Sequence, residues 1–182
     1  MDTLVKSQQT STAVVAFEKV HIGFEEGEIL RGVSFRVQER ETLILLGETG
    51  TGKTLTLKIA AGLLQISSGS VNVLGEEISA MREPELLAFR RKIGFVFQEG
   101  ALFDSMTVGD NVAYRLREDR VDETEIEQRV QEVLRFVELE HTADQLPSEL
   151  SGGMRRRVSI ARALINRPAS CCTIRRRRDL IR

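Results

Sequence analysis

The feature that most constrains this fold is an eight-residue, glycine-rich stretch at positions 47–54. It consists of Gly47, Glu48, Thr49, Gly50, Thr51, Gly52, Lys53 and Thr54. A short apolar run rich in strand formers, residues 41–46, leads into it, and residues 53–64 follow with helical spacing. The order predicts a strand, a loop and a helix, which is the setting in which a loop of this kind binds phosphate.

The chemistry of the loop follows from its residue types. Glycines let the backbone bend so that successive N–H groups converge on an anion. A helix that begins near Lys53 adds the positive end of its dipole. We expect Lys53 to reach the β- and γ-phosphates of a nucleotide and the Thr54 hydroxyl to bind Mg²⁺. The alternative, a glycine-rich turn that binds nothing, is disfavoured by the strand–loop–helix context.

Charge and composition exclude several classes of function. The chain has 182 residues, enough for one domain with a subdomain. Residues 169–182 carry five arginines and one aspartate, a net +4, which leaves −5 for the other residues out of a total of −1. An acidic body argues against nucleic-acid binding. Cys171 and Cys172 are adjacent, which suits neither a metal site nor a disulfide framework.

No apolar run reaches transmembrane length, and the N-terminal residues do not show a signal-peptide pattern. We therefore expect a cytoplasmic protein that acts at a membrane only through a partner.

Hydrophobic periodicity predicts an α/β chain. The expected strands are residues 13–20, 32–37, 41–46, 70–74 and 92–98, and the expected helices are 53–64, 83–91, 122–140 and 151–166. Asp122 with Glu125 resembles a capping box, and Ser151 is an expected N-cap. The predicted organisation is a flexible N-terminus (1–12), a β-rich nucleotide-binding core (13–98), an inserted helical subdomain (99–150), a loop and helix (150–168) and a basic tail (169–182).

A second motif, Leu150-Ser151-Gly152-Gly153-Met154, follows the phosphate loop along the chain. Together and in this order, the two motifs resemble the nucleotide-binding subunit of ATP-binding cassette (ABC) transporters over residues 13–168. The resemblance implies a P-loop NTPase cassette, incomplete at the C-terminus, that uses ATP and Mg²⁺. It also implies a head-to-tail homodimer in which Ser151, Gly152 and Gly153 contact ATP held by the partner's phosphate loop.

The resemblance assigns two further positions. Phe24 stands where the family has an aromatic residue that stacks on adenine, commonly Tyr; packing of this ring under a loop is the open alternative. Gln98 matches the glutamine that binds Mg²⁺ or the attacking water and senses the partner subunit. Lys53 and Gln98 are thus the expected catalytic residues, with Thr54 and Gln98 at the metal.

Met154 and the stretches 99–108 and 110–114 are similar to one branch of the family, the ATPase subunits of phospholipid transporters that maintain lipid asymmetry. This similarity implies lipid transport and a position on the inner face of the membrane, held there by a permease that contacts residues 100–106. Arg155, Arg156 and Arg157 are expected to form a solvated basic helix face.

After Pro168 the family has an apolar strand that ends in Asp-Glu, a Pro-Thr-Ala-Gly-Leu-Asp loop and later a histidine, and none of these stands at the expected place here. The only histidines, His21 and His141, precede that position. Reading the third base of each tail codon with the first two of the next permits Val-Leu-Leu-Tyr-Asp-x-Pro-Thr-Ala-Gly-Leu-Asp-Pro, in which x cannot be Glu. We therefore expect a frameshift near Ala169 and little ATP turnover by this chain.

Two alternatives to a transporter subunit remain open at this point. One is an ABC-type ATPase outside transport, in DNA repair or translation, although the chain has neither a long coiled-coil insertion nor a second cassette. The other is a catalytically dead fragment that binds nucleotide without turnover.

Overall fold

The computed structural model describes residues 13–25, 27–96 and 100–173. The chain divides into two compact units, residues 1–86 and residues 87–182. The boundary expected between the core and the helical subdomain, at residues 98 and 99, stays a prediction.

The first unit is built on an antiparallel sheet whose strand order is β2-β1-β3-β4. Its strands are β1 (Val15–Phe24), β2 (Gly27–Val37), β3 (Ser68–Val73) and β4 (Glu76–Glu77), and one helix, α1 (Lys53–Ala60), lies between β2 and β3 in the chain. A short 3₁₀ helix, Ile78–Ala80, follows β4. Strands β1, β2 and β3 therefore start or end away from the predicted positions, while their existence is confirmed.

Alternating apolar side chains of the sheet form the core of the first unit. Phe17 and Val71 pair across β1 and β3 and are almost completely buried. Phe17 also stacks on Phe35 of β2, with ring centroids 4.5 Å apart. Ile59 of α1 is buried as well. Each such side chain contributes about 1.5–3 kcal/mol when it is fully removed from water.

The prediction of a strand at residues 41–46 is wrong: the segment has no regular secondary structure. Ile44 and Leu46 are 61% and 71% exposed. A strand forms only when a neighbour satisfies its backbone N–H and C=O groups. Within the described part of the chain no strand pairs with this segment. The apolar run at residues 41–46 was therefore not sufficient to form a strand.

The second unit combines three helices with a two-stranded parallel sheet. Its elements are β5 (Ile93–Val96), α3 (Val108–Glu118), α4 (Glu123–Phe136), α5 (Gly152–Leu164) and β6 (Ser170–Thr173), while α2 (Glu83–Arg90) spans the boundary between the units. Two short 3₁₀ helices, Glu140–Thr142 and Pro147–Glu149, lie between α4 and α5 in the chain.

Apolar residues at helical spacing hold α3, α4 and α5 together. Val112 of α3, Leu134 of α4 and Val158 of α5 are each completely buried in one cluster. The apolar stripe predicted on residues 126–137 packs into this cluster, with Ile126 and Val130 at its start. The helix itself is shorter than the predicted 122–140, because Val137 is its C-cap and Glu138 takes a left-handed conformation (φ 59°).

Helix α3 was not predicted from the sequence, although local signals for it exist. Thr107 is the N-cap, and its hydroxyl accepts a hydrogen bond from the Asp110 backbone N–H (3.1 Å). Val108, Val112 and Leu116 mark one buried face at the i, i+4, i+8 spacing of a helix. The segment was instead interpreted as a marker of one family branch.

The first residues of the basic tail form a strand that was not predicted from the sequence. Ser170–Thr173 form strand β6, which pairs in parallel with β5 from Ile93 opposite Ser170 to Val96 opposite Thr173. The backbone N–H of Ala169 donates to the Lys92 carbonyl at the start of this pairing (3.1 Å). A parallel neighbour strand of β5 is therefore present, although it is only four residues long.

Candidate functional site

The phosphate loop predicted at residues 47–54 ends in a left-handed glycine at the start of a helix. Gly52 has φ 86° and is the N-cap of α1, and Gly50 has φ 88°. A Cβ atom on Gly52 would lie 2.4 Å from Leu30 Cδ2 and 3.3 Å from Ile29 Cγ2 of strand β2. Backbone conformation and packing therefore both require glycine at position 52. The N–H groups of the first turn of α1 point out of the helix end, as they do in any α-helix.

The Lys53 ammonium group lies back over the loop. It donates hydrogen bonds to the Glu48 carbonyl oxygen and to the Thr51 hydroxyl oxygen (3.2 Å). The Thr51 hydroxyl in turn donates to the same Glu48 carbonyl (2.9 Å). These bonds place the positive charge of the lysine inside the curve of the loop, next to the helix start.

The electrostatics of the loop suit an anion. The first turn of α1 has no acidic residue, and it begins with Lys53, while the second lysine of the helix, Lys58, lies in the last turn. The positive end of the helix dipole is therefore not neutralised by its own first turn. The Thr54 side chain is exposed beside Lys53, where its hydroxyl is free to bind a ligand or ion. The donor set fits a polyphosphate with a hard cation, as expected for ATP and Mg²⁺.

Phe24 ends strand β1 and faces Gly27 across the hairpin. Its side chain is 55% exposed. This exposure disfavours the alternative that the ring packs under a loop, and it leaves a face on which a base can stack. Gln98, the other residue assigned by resemblance, lies outside the described residues.

The second motif forms the exposed start of helix α5. Ser151 is the N-cap, and its hydroxyl oxygen accepts from the Met154 backbone N–H (3.2 Å), which confirms the predicted cap. A hydroxyl that accepts this bond keeps its own hydrogen for a further acceptor. Gly152 and Gly153 are exposed, and the nearest atoms to an added Cβ are 3.8 Å and 4.0 Å away. The Ser151–Gly153 turn is open to a ligand, and the first turn of helix α5 has no acidic residue.

The expected solvated arginine face is only part of the role of Arg155 and Arg157. Arg155 donates to the Leu150 carbonyl (2.6 Å). Arg157 donates to the carbonyl of Val137 (2.9 Å), the C-cap of α4. A cation at a helix C-terminus satisfies carbonyls that the helix leaves unpaired, so these arginines join elements of the second unit.

Within the described ranges, no helix has the length and apolarity needed to cross a bilayer, and no group of His, Cys, Asp or Glu side chains there is suited to hold a metal ion.

Comparison with known proteins decides the family. The model of the family described as ABC transporter matches residues 30–172, which is most of the chain. The chain belongs to the ABC transporter family. Solved structures agree on the fold of this ABC protein. A dimeric, post-hydrolysis structure of the ATP-binding cassette MJ0796, bound to ADP and Pi, superposes with a TM-score of 0.81 at 32% identity, over 87% of this chain and 72% of that one.

A second solved structure, cbiO1 from Clostridium perfringens, part of the ABC transporter complex cbiONQ, gives a TM-score of 0.80 at 27% identity, over 88% of this chain and 64% of that one. These matches confirm the predicted cassette fold, with a β-rich N-terminal part followed by helical elements.

Curated relatives include spermidine/putrescine import ATP-binding proteins PotA. The protein of Trichodesmium erythraeum is 40% identical over 155 residues, which are 85% of this chain and 39% of the relative. That of Haemophilus influenzae (strain 86-028NP) is 37% identical over 164 residues, 90% of this chain and 43% of the relative. The chain thus spans about two fifths of the length of these relatives. Their names do not support the lipid-asymmetry branch predicted from Met154 and residues 99–114.

Two side chains with a clear structural role in this region were missed by the sequence analysis, Asn111 and Arg162. Both bind backbone groups of residues 100–107, which are distant in sequence from Arg162. Local patterns do not reveal the contacts of Arg162, because a single Arg inside an amphipathic helix is also typical of a solvated face.

Proposed function

We propose that this chain is the ATP-binding part of an ABC transporter and that it binds ATP with Mg²⁺ through residues 47–54. The observation that carries the proposal is the phosphate loop, in which a left-handed Gly52, an unneutralised helix start and the Lys53 ammonium converge. A triphosphate is the ligand that such a donor set recognises. Membership of the ABC transporter family supports ATP as the nucleotide.

The chain's residues divide the work of holding the nucleotide. Backbone N–H groups of the loop and Lys53 contact the phosphates, Thr54 contacts the cation, and Phe24 stacks on the base. We place Gln98 at the cation or at the attacking water. When bound, Mg²⁺ neutralises phosphate charge.

We infer a head-to-tail homodimer in which the Ser151–Gly153 turn of one copy contacts ATP on its partner. The exposed turn and its free hydroxyl hydrogen support this role. The dimeric state of the MJ0796 cassette supports it as well.

Sedimentation velocity with and without Mg-ATP tests the dimer. ATP should convert the chain from monomer to dimer. Gly153→Asp should abolish the shift, because it puts a carboxylate where a phosphate is expected, while the site has room for the side chain. Thr124→Asp, which adds the same charge to the exposed first turn of α4, should leave the shift intact. An ATP-independent sedimentation coefficient in the unmodified chain would contradict the proposal.

We further propose a membrane permease as the partner and a polyamine as the transported substrate. The names of the relatives support a polyamine rather than the phospholipid expected from the sequence. Because little turnover is expected of this chain, uptake of radiolabelled putrescine and spermidine is measured in cells with and without a copy of the gene whose reading frame restores the missing segment after Pro168. Unchanged polyamine uptake together with altered phospholipid distribution would reverse it.

We propose that this chain binds ATP but hydrolyses it only slowly. Strand β6 is followed in sequence by Ile174 and Arg175, which cannot polarise water as a carboxylate does. Parallel measurements of ATP affinity and phosphate release check this, and turnover at a rate typical of enzymes, on the order of 1 s⁻¹ or more, would contradict it. The frameshift hypothesis is tested separately by the gene: codons that do not spell the expected segment in the shifted frame would refute it.

A further inference from the structure

The loop of residues 100–107 is fixed to helix α5 by one side chain. The Arg162 guanidinium donates to two successive carbonyls, from Nη1 to Ala101 (2.8 Å) and from Nη2 to Gly100 (2.9 Å). These residues are about 60 positions apart in the chain. A planar guanidinium that donates two bonds at once fixes orientation as well as distance.

The two carbonyls belong to a strained stretch of backbone. Gly100 has φ 80° and Ala101 has φ 46°, so two successive residues are left-handed. Only the first is glycine, and a left-handed alanine is unfavourable by about 1 kcal/mol or more. Such a conformation persists where surrounding contacts hold it, and the bonds from Arg162 are contacts of that kind.

The rest of the loop is held by aromatic and amide contacts. The Arg162 guanidinium lies over the ring of Phe103, 5.7 Å from its centroid, and this ring packs on Tyr114 of α3 at 4.9 Å. The completely buried Asn111 accepts from the Phe103 N–H and donates to the carbonyls of Phe103, Met106 and Thr107. Arg162 therefore holds the beginning of the loop, and Asn111 holds the residues from Phe103 onward.

Helix α5 carries the Ser151–Gly153 turn at one end and Arg162 near the other. The helix is continuous from Gly152 to Leu164, and a rise of 1.5 Å per residue separates the two ends by about 16 Å. Val158 and Ala161, between them, are completely buried. Because the helix is unbroken between the two ends, a displacement that shifts the helix at the turn also shifts Arg162. Burial also lowers the pKa of the Arg162 guanidinium, as expected for a cation withdrawn from water.

We propose that Arg162 is a positioning residue that couples the Ser151–Gly153 turn to the conformation of residues 100–107. The inference rests on the proposed function, since nucleotide at the turn is the event that Arg162 transmits. Nucleotide that binds at the Ser151–Gly153 turn shifts helix α5. The paired hydrogen bonds from Arg162 pass this shift to Gly100 and Ala101, whose backbone is strained. The loop then responds to ATP without touching it.

Hydrogen–deuterium exchange of the purified full chain, at a concentration that permits dimerisation, tests this coupling with and without Mg-ATP. In the unmodified chain, ATP should slow exchange at the amides of 151–154 and of 100–107. Arg162→Ala should remove the ATP effect at 100–107 and keep it at 151–154. It should also raise nucleotide-free exchange of the loop by about tenfold, because two bonds from a charged donor are lost.

Two further variants keep the test decisive. Arg162→Lys retains the charge but not the paired geometry, so it should also lose the ATP effect at the loop. This variant replaces Arg162→Ala in the test if Arg162→Ala does not fold. Arg157→Ala removes a comparable bond from α5 to the backbone of Val137 and should keep the effect. A purely structural role for Arg162 would change loop exchange equally with and without ATP.

The outcomes separate the inference from the function on which it rests. Equal ATP effects at 100–107 in the unmodified chain and in both Arg162 variants would overturn the coupling. So would ATP protection confined to 151–154 in the unmodified chain. Absence of ATP protection at residues 47–54 would instead overturn the proposed function, and the coupling with it.

Discussion

At the scale of single residues, the phosphate loop depends on a glycine that two independent constraints require. The φ of 86° at Gly52 is unfavourable for any side chain, and Leu30 occupies the space that a Cβ would need. Gly50 shares the left-handed conformation (φ 88°) but has open space around it. Substitution of Gly50 therefore measures the cost of backbone strain alone, whereas substitution of Gly52 adds the cost of a steric clash.

Alanine substitution at these two glycines should give unequal losses of stability. Gly50→Ala should lower the free energy of unfolding by about 1–2 kcal/mol, the cost of a left-handed alanine. Gly52→Ala should cost about 1–3 kcal/mol more, because strand β2 must also shift. Urea denaturation followed by circular dichroism measures both. Equal losses would show that Leu30 does not constrain the loop.

Asp110 predicts an acid-sensitive contribution to stability. Hydrogen bonds from Arg117 (2.6 Å) and then from the Thr107 hydroxyl (2.8 Å) hold the pKa of its carboxyl group below the ordinary value. A carboxyl group whose folded-state pKa is depressed stabilises the fold above its unfolded-state pKa, about 3.9. This stabilisation is lost as pH falls through the lower folded-state pKa.

Comparison of the unmodified chain with Asp110→Asn isolates this effect, whereas a change at Arg117 would also remove its hydrogen bonds to Glu123. The variant should be less stable at pH 6, and the difference should shrink as the pH falls below about 4. Urea denaturation at a series of pH values checks it. A difference that stays constant down to pH 3 would exclude the charge of Asp110 as the source.

At the scale of secondary-structure elements, local signals were sufficient for some features and insufficient for others. The N-caps at Ser151 and Asp122 were predictable because a cap involves only the next two or three residues. The strand at 41–46 was predicted wrongly because a strand depends on partner strands that can lie far along the chain. The contacts of Arg162 follow from tertiary packing, which no local pattern encodes.

Asn111 predicts how the loop and helix α3 depend on each other. Asn111→Asp keeps the shape of the side chain but replaces its N–H donors with a carboxylate that faces three backbone carbonyls. Because the site is completely buried, the free energy of unfolding should fall by about 3 kcal/mol or more. Gln131→Glu makes the same change on the exposed face of α4 and should cost less than about 0.5 kcal/mol. Similar small losses of unfolding free energy in both variants would show that the hydrogen bonds of Asn111 do not hold the loop.

At the scale of the whole molecule, each compact unit carries one part of the proposed nucleotide contacts. The first contains the phosphate loop, and the second contains the Ser151–Gly153 turn. The family and cassette fold were predictable from these two motifs because their glycines, lysine and serine serve one chemistry. The lipid branch was not, because the contacts seen for residues 100–114 serve packing and loop geometry.

The central claim is that the loop of residues 47–54 binds the phosphates of ATP through Lys53. Isothermal titration calorimetry of Mg-ATP into the unmodified chain, Lys53→Ala and Lys58→Ala tests it most directly. Lys53→Ala should weaken binding by about tenfold or more, because a charge-assisted hydrogen bond to phosphate is lost. Lys58→Ala, which removes the same charge from the last turn of the same helix, should bind as the unmodified chain does. Equal affinities of the Lys53→Ala variant and the unmodified chain would contradict the account.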